Sequence, residues 1–345
     1  MKRAIQQARA VGALILIALS GCDNVSWGGA DVVIVPPPPQ TRSPSSPAVE
    51  EGEPVVERLP EGAILYYAVR TPTGGAMVPV GEIDGDSLRA IRAAGDPEAF
   101  AARFIAELMR QGSEFVLFHE GARVGTLVVE SAETLAGGGA CALPRATGSL
   151  ELSTTASAAS EFLALSRLNA PEAVRRSGPA LVPSRGMQVI APIIAERLMR
   201  RRGASLPGNW QRAMAQLQPF PVFTAQQPGY ATTFLVGDTL GPGLDDDGYS
   251  IFYVGIPHET SYDTAYVDYR PYPQTGKAAP RVIDFLDWDR DDRVELLLRV
   301  YGVSESWFEA VGPDEDGEWS RIFQDDCKGS ASPVLVAPAR SDTPG

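Results

Sequence analysis

Nine residues near the C-terminal end, Asp287-Trp288-Asp289-Arg290-Asp291-Asp292-Arg293-Val294-Glu295, place carboxylates at relative positions 1, 3, 5 and 9. If the chain curls tightly these side chains converge, and the main-chain carbonyl of Arg293 at position 7 adds a fifth oxygen. Calcium takes six to eight hard oxygen ligands at about 2.3–2.6 Å, with water completing the shell. Holding so many anions together without a cation is costly, because each opposes ionisation of the next. Val294, Leu296, Leu298 and Val300 then alternate, so the loop should open directly into a strand. The other polar clusters carry less chemistry. Asp245-Asp246-Asp247-Gly248 has consecutive carboxylates that diverge on an extended chain, and it reads as a hairpin turn. His119-Glu120 and His258-Glu259 are isolated pairs without the His-Glu-x-x-His spacing of a zinc site. Gly137-Gly138-Gly139 lacks the helix and lysine of a phosphate loop, and no Gly-x-Ser-x-Gly elbow is present.

The acidic loop is not an EF-hand. The glycine required at position 6 is Asp292, and the bidentate glutamate required at position 12 is Leu298. It resembles the shorter loop of FG-GAP and VCBS-type β repeats, which carry Asp or Asn at positions 1, 3 and 5, an acid at 9, and then an apolar strand. That resemblance covers about 40 residues in one copy. It implies a structural calcium ion held by Asp287, Asp289, Asp291, the Arg293 carbonyl and Glu295. The sequence departs from the repeat at Arg290 and Asp292, where glycines are usual; aspartate tolerates the left-handed backbone that such a turn demands. Gly85-Asp86-Ser87-Leu88 spells the nucleophile block of GDSL-type esterases. The base of that family comes from Asp-x-x-His, whereas His119 follows Val116 and His258 follows Gly255 at that spacing. Capping of a short helix by Asp86 or Ser87 accounts for the same letters.

The N-terminus carries a different kind of chemistry. Lys2, Arg3 and Arg9 precede an apolar run, Ala10–Leu19, about half the length a membrane-spanning helix needs. Leu19-Ser20-Gly21-Cys22 follows and resembles the lipobox of bacterial lipoproteins. The resemblance implies export, lipid transfer to the Cys22 thiolate, and cleavage before it, so that residues 1–21 are a signal peptide. Asp23 matches an inner-membrane retention signal of enteric bacteria, but the choice between inner and outer membrane stays open. Removing the signal leaves 27 of the 30 basic residues against 43 acidic ones, a balance of −16. Nucleic acid and anionic lipid headgroups both require a basic footprint. The composition therefore argues against a nucleic-acid partner, and a protein or glycan is the expected kind.

Setting Cys22 aside leaves an even pair, Cys141 and Cys327, which an oxidising compartment would join. The elements that must position these groups follow a tether. Residues 22–61 are rich in Pro, Ser and Glu, favour polyproline II and can hold the globule up to ~100 Å from a bilayer. Residues 62–225 read as an α+β lobe. Its expected strands are Ala63–Arg70, Met77–Ile83, Phe115–His119 and Arg123–Glu130. Its expected helices are a short one to Ala94, one opening at Asp96-Pro97 and running to about Gln111, Ala156–Leu168, Met187–Arg202 beginning near Pro192, and one after Asn209 to Leu217. Residues 226–329 read as an antiparallel meander of about six strands: Ala231–Asp238, Tyr249–Ile256, Thr264–Tyr269, Val294–Tyr301, Ser306–Val311 and Trp319–Phe323. Residues 330–345 are expected to be a disordered tail. The whole predicts an envelope lipoprotein, non-enzymatic, with one calcium-braced β lobe. The alternative is an envelope hydrolase acting through carboxylates such as Asp245–Asp247 and Glu259.

Overall fold

A computed structural model describes residues 58–327, apart from 94, 135–140, 142, 173–180, 224 and 244–247. The expected signal peptide, Cys22, most of the expected tether, Asp245–Asp247 and the C-terminal tail lie outside the described residues. The first seven strands are β1 (Ile64–Thr71), β2 (Gly74–Asp84), β3 (Ser87–Arg89), β4 (Glu114–His119), β5 (Ala122–Thr134), β6 (Pro144–Leu152) and β7 (Glu161–Ser166). Their order is β1-β7-β4-β5-β6-β2, and β1 pairs again with β2, so six strands close into an antiparallel barrel with β3 appended to β2. Closure leaves those six strands without an open edge. The barrel is tight where β5 and β6 cross: a Cβ on Gly148 would stand 1.9 Å from the Val128 carbonyl oxygen, so only glycine fits.

Strand alternation divides the barrel residues between two cores. Tyr66, Ala68, Phe115, Leu117, Phe162 and Ala164 share one cluster with Phe100 and Phe104 of α1 (Pro97–Leu108). Asp96 caps that helix, its carboxylate accepting the Glu98 N–H at 3.0 Å, and Pro97 occupies the first turn. Leu65, Tyr67, Val116, Phe118 and Leu163 point the other way.

The rest of the described chain forms two four-stranded meanders. One runs β11-β10-β9-β8, with β8 (Met214–Phe220), β9 (Gly229–Val236), β10 (Tyr249–His258) and β11 (Ser261–Pro271). The other runs β12-β13-β14-β15, with β12 (Ala279–Leu286), β13 (Glu295–Tyr301), β14 (Ser306–Pro313) and β15 (Trp319–Gln324). The β12–β15 sheet is the middle layer. Leu297, Phe308 and Ala310 pack on the barrel, while Leu296, Leu298 and Val311 pack on Phe252 and Val254 of the other meander. A strand buried on both faces cannot alternate, which explains the unbroken Leu296-Leu297-Leu298 run. On its far side the β8–β11 sheet takes Met187, Ala191, Ile194 and Leu198 of α2 (Arg185–Arg201).

The expected α+β lobe is therefore corrected: the N-terminal half is a β-barrel carrying one helix, in a mostly β protein. Three readings of helix fail within residues 62–225. Glu161–Ser166 (EFLALS) is composed like a helix yet completes the barrel between β1 and β4, because pairing on both sides outweighs local propensity. Ser87–Arg89 is a short strand, and the segment after Asn209 makes one 3-10 turn before entering β8. Conversely, α2 starts at Arg185 and continues through Pro192. Ser184 caps it, and buried residues on either side of the proline hold it in register.

Candidate metal centre

The pairing of Leu286 with Glu295 closes the hairpin between β12 and β13, and the acidic loop spans it. Asp287, buried at the exit of β12, organises the turn. Its Oδ1 accepts the N–H groups of Arg290 at 2.7 Å and Asp291 at 3.1 Å, and its Oδ2 accepts that of Asp292 at 3.2 Å. Asp289 accepts from Asp291 N at 3.2 Å, and Asp291 from Arg293 N at 2.8 Å. Two residues take the left-handed conformation, Arg290 at φ 72° and Asp292 at φ 64°. These are the two positions where the resembling repeats carry glycine, so the backbone shape is kept without that residue. Glu295 is 1% exposed and accepts the Trp288 N–H at 3.2 Å. Gly312 on β14 leaves it room, since a Cβ there would stand 3.0 Å from the Glu295 Cγ.

The carboxylates expected from the sequence do converge. One ligand oxygen each from Asp287, Asp289 and Glu295 lies within 4.8 Å of the others, and a second such trio joins Asp289 and Asp291 to Asp86. Two oxygens on one calcium ion stand at most about 5 Å apart, twice the metal–oxygen distance. The trios overlap at Asp289, and the donor set is wholly hard oxygen, which fits calcium. Arg293 has a defined side chain as well as the carbonyl expected to serve: its guanidinium pairs with Asp291 and donates to the Asp314 carbonyl. Among the described residues this is the one ion pair that reaches the cluster.

The electrostatics record that shortage. Burial, then the charges of Asp291 and Asp287, push the Asp289 carboxyl up to about 7. Burial raises Asp287 as well. Glu295 is held well above the usual carboxylate range by burial and by the charge of Asp289. A divalent cation would reverse each of these penalties.

Asp86 was missed from the sequence. It sits in the turn between β2 and β3, where Gly85 takes φ 58° and the Ser87 hydroxyl donates to the Asp84 carbonyl at 3.0 Å. The letters that suggested a helix cap thus make a tight strand turn, and the turn presents Asp86 to a loop some 200 residues away. No local signal carries that. Elsewhere, His119 stands 3.4 Å from buried Asp284, and His258 stands 3.3 Å from Asp263. Among the described residues neither histidine joins a metal-sized group. The paired cysteines do meet: Cys141 and Cys327 form a disulfide with a Cα separation of 5.5 Å, tying the segment before β6 to the one after β15.

Comparison with protein-family models, with curated proteins and with solved structures yields no match. Among the described residues no helix is long and apolar enough to cross a membrane.

Proposed function

We propose that this protein is a lipoprotein anchored through lipid on Cys22 at the extracytoplasmic face of a membrane. Its β region is a non-enzymatic binding or envelope-structural module braced by one calcium ion. The observation that carries the calcium reading is the convergence of Asp86, Asp287, Asp289, Asp291 and Glu295 around one arginine. An external cation is the simplest complement to that deficit, and calcium is abundant outside the cytoplasm. The disulfide suits the same compartment. The hydrolase alternative draws on Asp245–Asp247, outside the described residues, and on Glu259, exposed at the turn between β10 and β11.

Two measurements test the proposal. Thermal unfolding of the mature, signal-free chain is followed with calcium, with magnesium and with a chelator. A saturable rise in Tm of roughly 5 °C is expected at calcium a hundredfold above Kd. An unchanged Tm removes the ion. Palmitate labelling in a bacterial host tests the anchor: Cys22→Ser should abolish both labelling and membrane association, and persistent labelling would overturn it.

A further inference from the structure

Lined by none of the convergent carboxylates, a cleft of about 390 Å³ opens beside the acidic loop between three segments. They are the chain leaving β8, the loop residues Asp292 and Arg293, and the turn from β14 to β15. Its wall is aromatic. Phe220 and Trp319 meet at 5.5 Å between ring centroids, tilted 47°, and Phe223 stands 47% exposed at the mouth. Its rim is acidic. Asp292, Glu315 and Asp316 line it, and among the described residues none of these carboxylates has an ion pair or a hydrogen-bonded partner. The single basic residue of the lining, Arg293, is committed to Asp291 and to the Asp314 carbonyl.

Aromatic faces attract cations through the ring quadrupole, and the attraction strengthens where water is displaced. Carboxylates at the mouth add a charge term that neutral ligands do not feel. A sugar would use the aromatic wall, but it would bring no charge to answer three carboxylates. A single small amine would answer one of them. Three carboxylates from two separate loops, Asp292 on one and Glu315 and Asp316 on the other, suit a series of cations on one strand, each with an apolar stem to lie against the rings. The formal charge of −13 on the whole chain adds long-range attraction for such a partner.

We propose that this cleft docks a basic polypeptide segment, taking a lysine or arginine side chain against Trp319 and Phe223, with buried Phe220 backing the indole, while Asp292, Glu315 and Asp316 hold its cations. The carboxylates of the cleft are not those of the calcium reading, but Asp292 and Arg293 belong to the same loop, so binding is measured both with and without the ion.

The test uses the full mature chain, in calcium and in chelator. Tryptophan fluorescence and calorimetry follow its titration with an end-capped heptapeptide of alternating alanine and lysine. Parallel titrations use the same peptide with glutamine for lysine, spermidine, and a neutral hexose oligomer. The lysine peptide should bind, and its affinity should fall as salt rises. Glu315→Gln combined with Asp316→Asn should weaken it about tenfold and flatten the salt dependence, at unchanged Tm. Trp319→Leu should weaken it about fivefold. If Trp319→Leu unfolds the protein, the carboxylate pair alone decides. Equal binding of the glutamine peptide or of the sugar would overturn the proposal, as would spermidine binding as tightly as the peptide. Absence of lysine-peptide binding at millimolar concentration would also overturn it. Failure of the calcium measurement with peptide binding intact would overturn only the metal reading.

Discussion

Two regions of this molecule bury acidic side chains in different ways. In the cleft between β11 and β14 every buried charge is answered from within the chain. Glu309, 1% exposed, takes both Arg270 nitrogens, at 3.0 and 2.5 Å, the Trp307 indole N–H at 2.9 Å and a longer contact from Arg321 at 3.4 Å. Arg270 also grips Asp268, and nearby Lys277 pairs with Asp238 at 2.5 Å while Tyr272 donates to the same carboxylate at 2.7 Å. Around Glu295, equally buried, four further carboxylates gather in two trios that overlap at Asp289, and one arginine pairs with one of them. The first region is an electrostatically complete core. The second has more carboxylates than cations, a balance that an ion from solution would complete. Buried charge by itself says little about ligands; the balance of charge does.

The contrast is sharpest in paired substitutions of the two glutamates. Glu309→Gln removes the counter-charge of a buried arginine and should cost about 3 kcal/mol, near the lower end for a broken buried pair because Asp268 remains. That corresponds to a Tm loss of roughly 6–12 °C, the same with calcium and with chelator. Glu295→Gln should do the opposite in chelator. Removing an unanswered buried charge should raise stability by about 1 kcal/mol, and the response to calcium should disappear. Thermal unfolding of both variants, each in both conditions, reads all four values. If Glu295→Gln destabilises the metal-free protein as Glu309→Gln does, the two regions are alike and the argument for an external cation fails. A smaller effect is expected at Asp86, which would contribute one ligand from outside the loop. Asp86→Asn should leave the metal-free Tm within about 1 °C and weaken calcium about tenfold, since affinity follows the count of ligand charges. Calorimetric titration would show it; unchanged affinity would confine the site to the loop.

The loop was legible in the sequence because its information is local. Alternate carboxylates, a turn and an apolar strand all fall within about a dozen residues, and so do the caps of α1 and most strands of the β8–β15 region. What was not legible depends on distant partners. The segment EFLALS becomes β7 only because β1 and β4 flank it, and β6 hides its strand behind glycine and arginine. β12 carries Pro280, Arg281 and Asp284, which obscure it. Asp284 is buried because it accepts the Glu120 N–H at 2.8 Å from 164 residues away. Asp86 belongs to the same class. Its type was visible and its destination was not, since a β2–β3 turn meets a β12–β13 loop only after the barrel and the middle sheet have packed. The Arg270–Glu309 pair, 39 residues apart, is hidden for the same reason.

The smallest expected effect is also the most specific to the unanswered region. In the metal-free protein Asp289 titrates near 7 and Glu295 above the usual carboxylate range, whereas unfolded Asp and Glu titrate at about 3.9 and 4.3. Between roughly pH 4 and pH 7 the folded state therefore binds more protons than the unfolded one, and stability falls as pH rises through that window. Calcium requires the deprotonated carboxylates and releases those protons on binding, so its contribution grows over the same range. The Tm difference between calcium and chelator should be nearly absent at pH 5 and fully developed by pH 8. A calcium-induced shift of equal size at pH 5 and pH 8 would mean that the ion binds through groups other than these carboxylates.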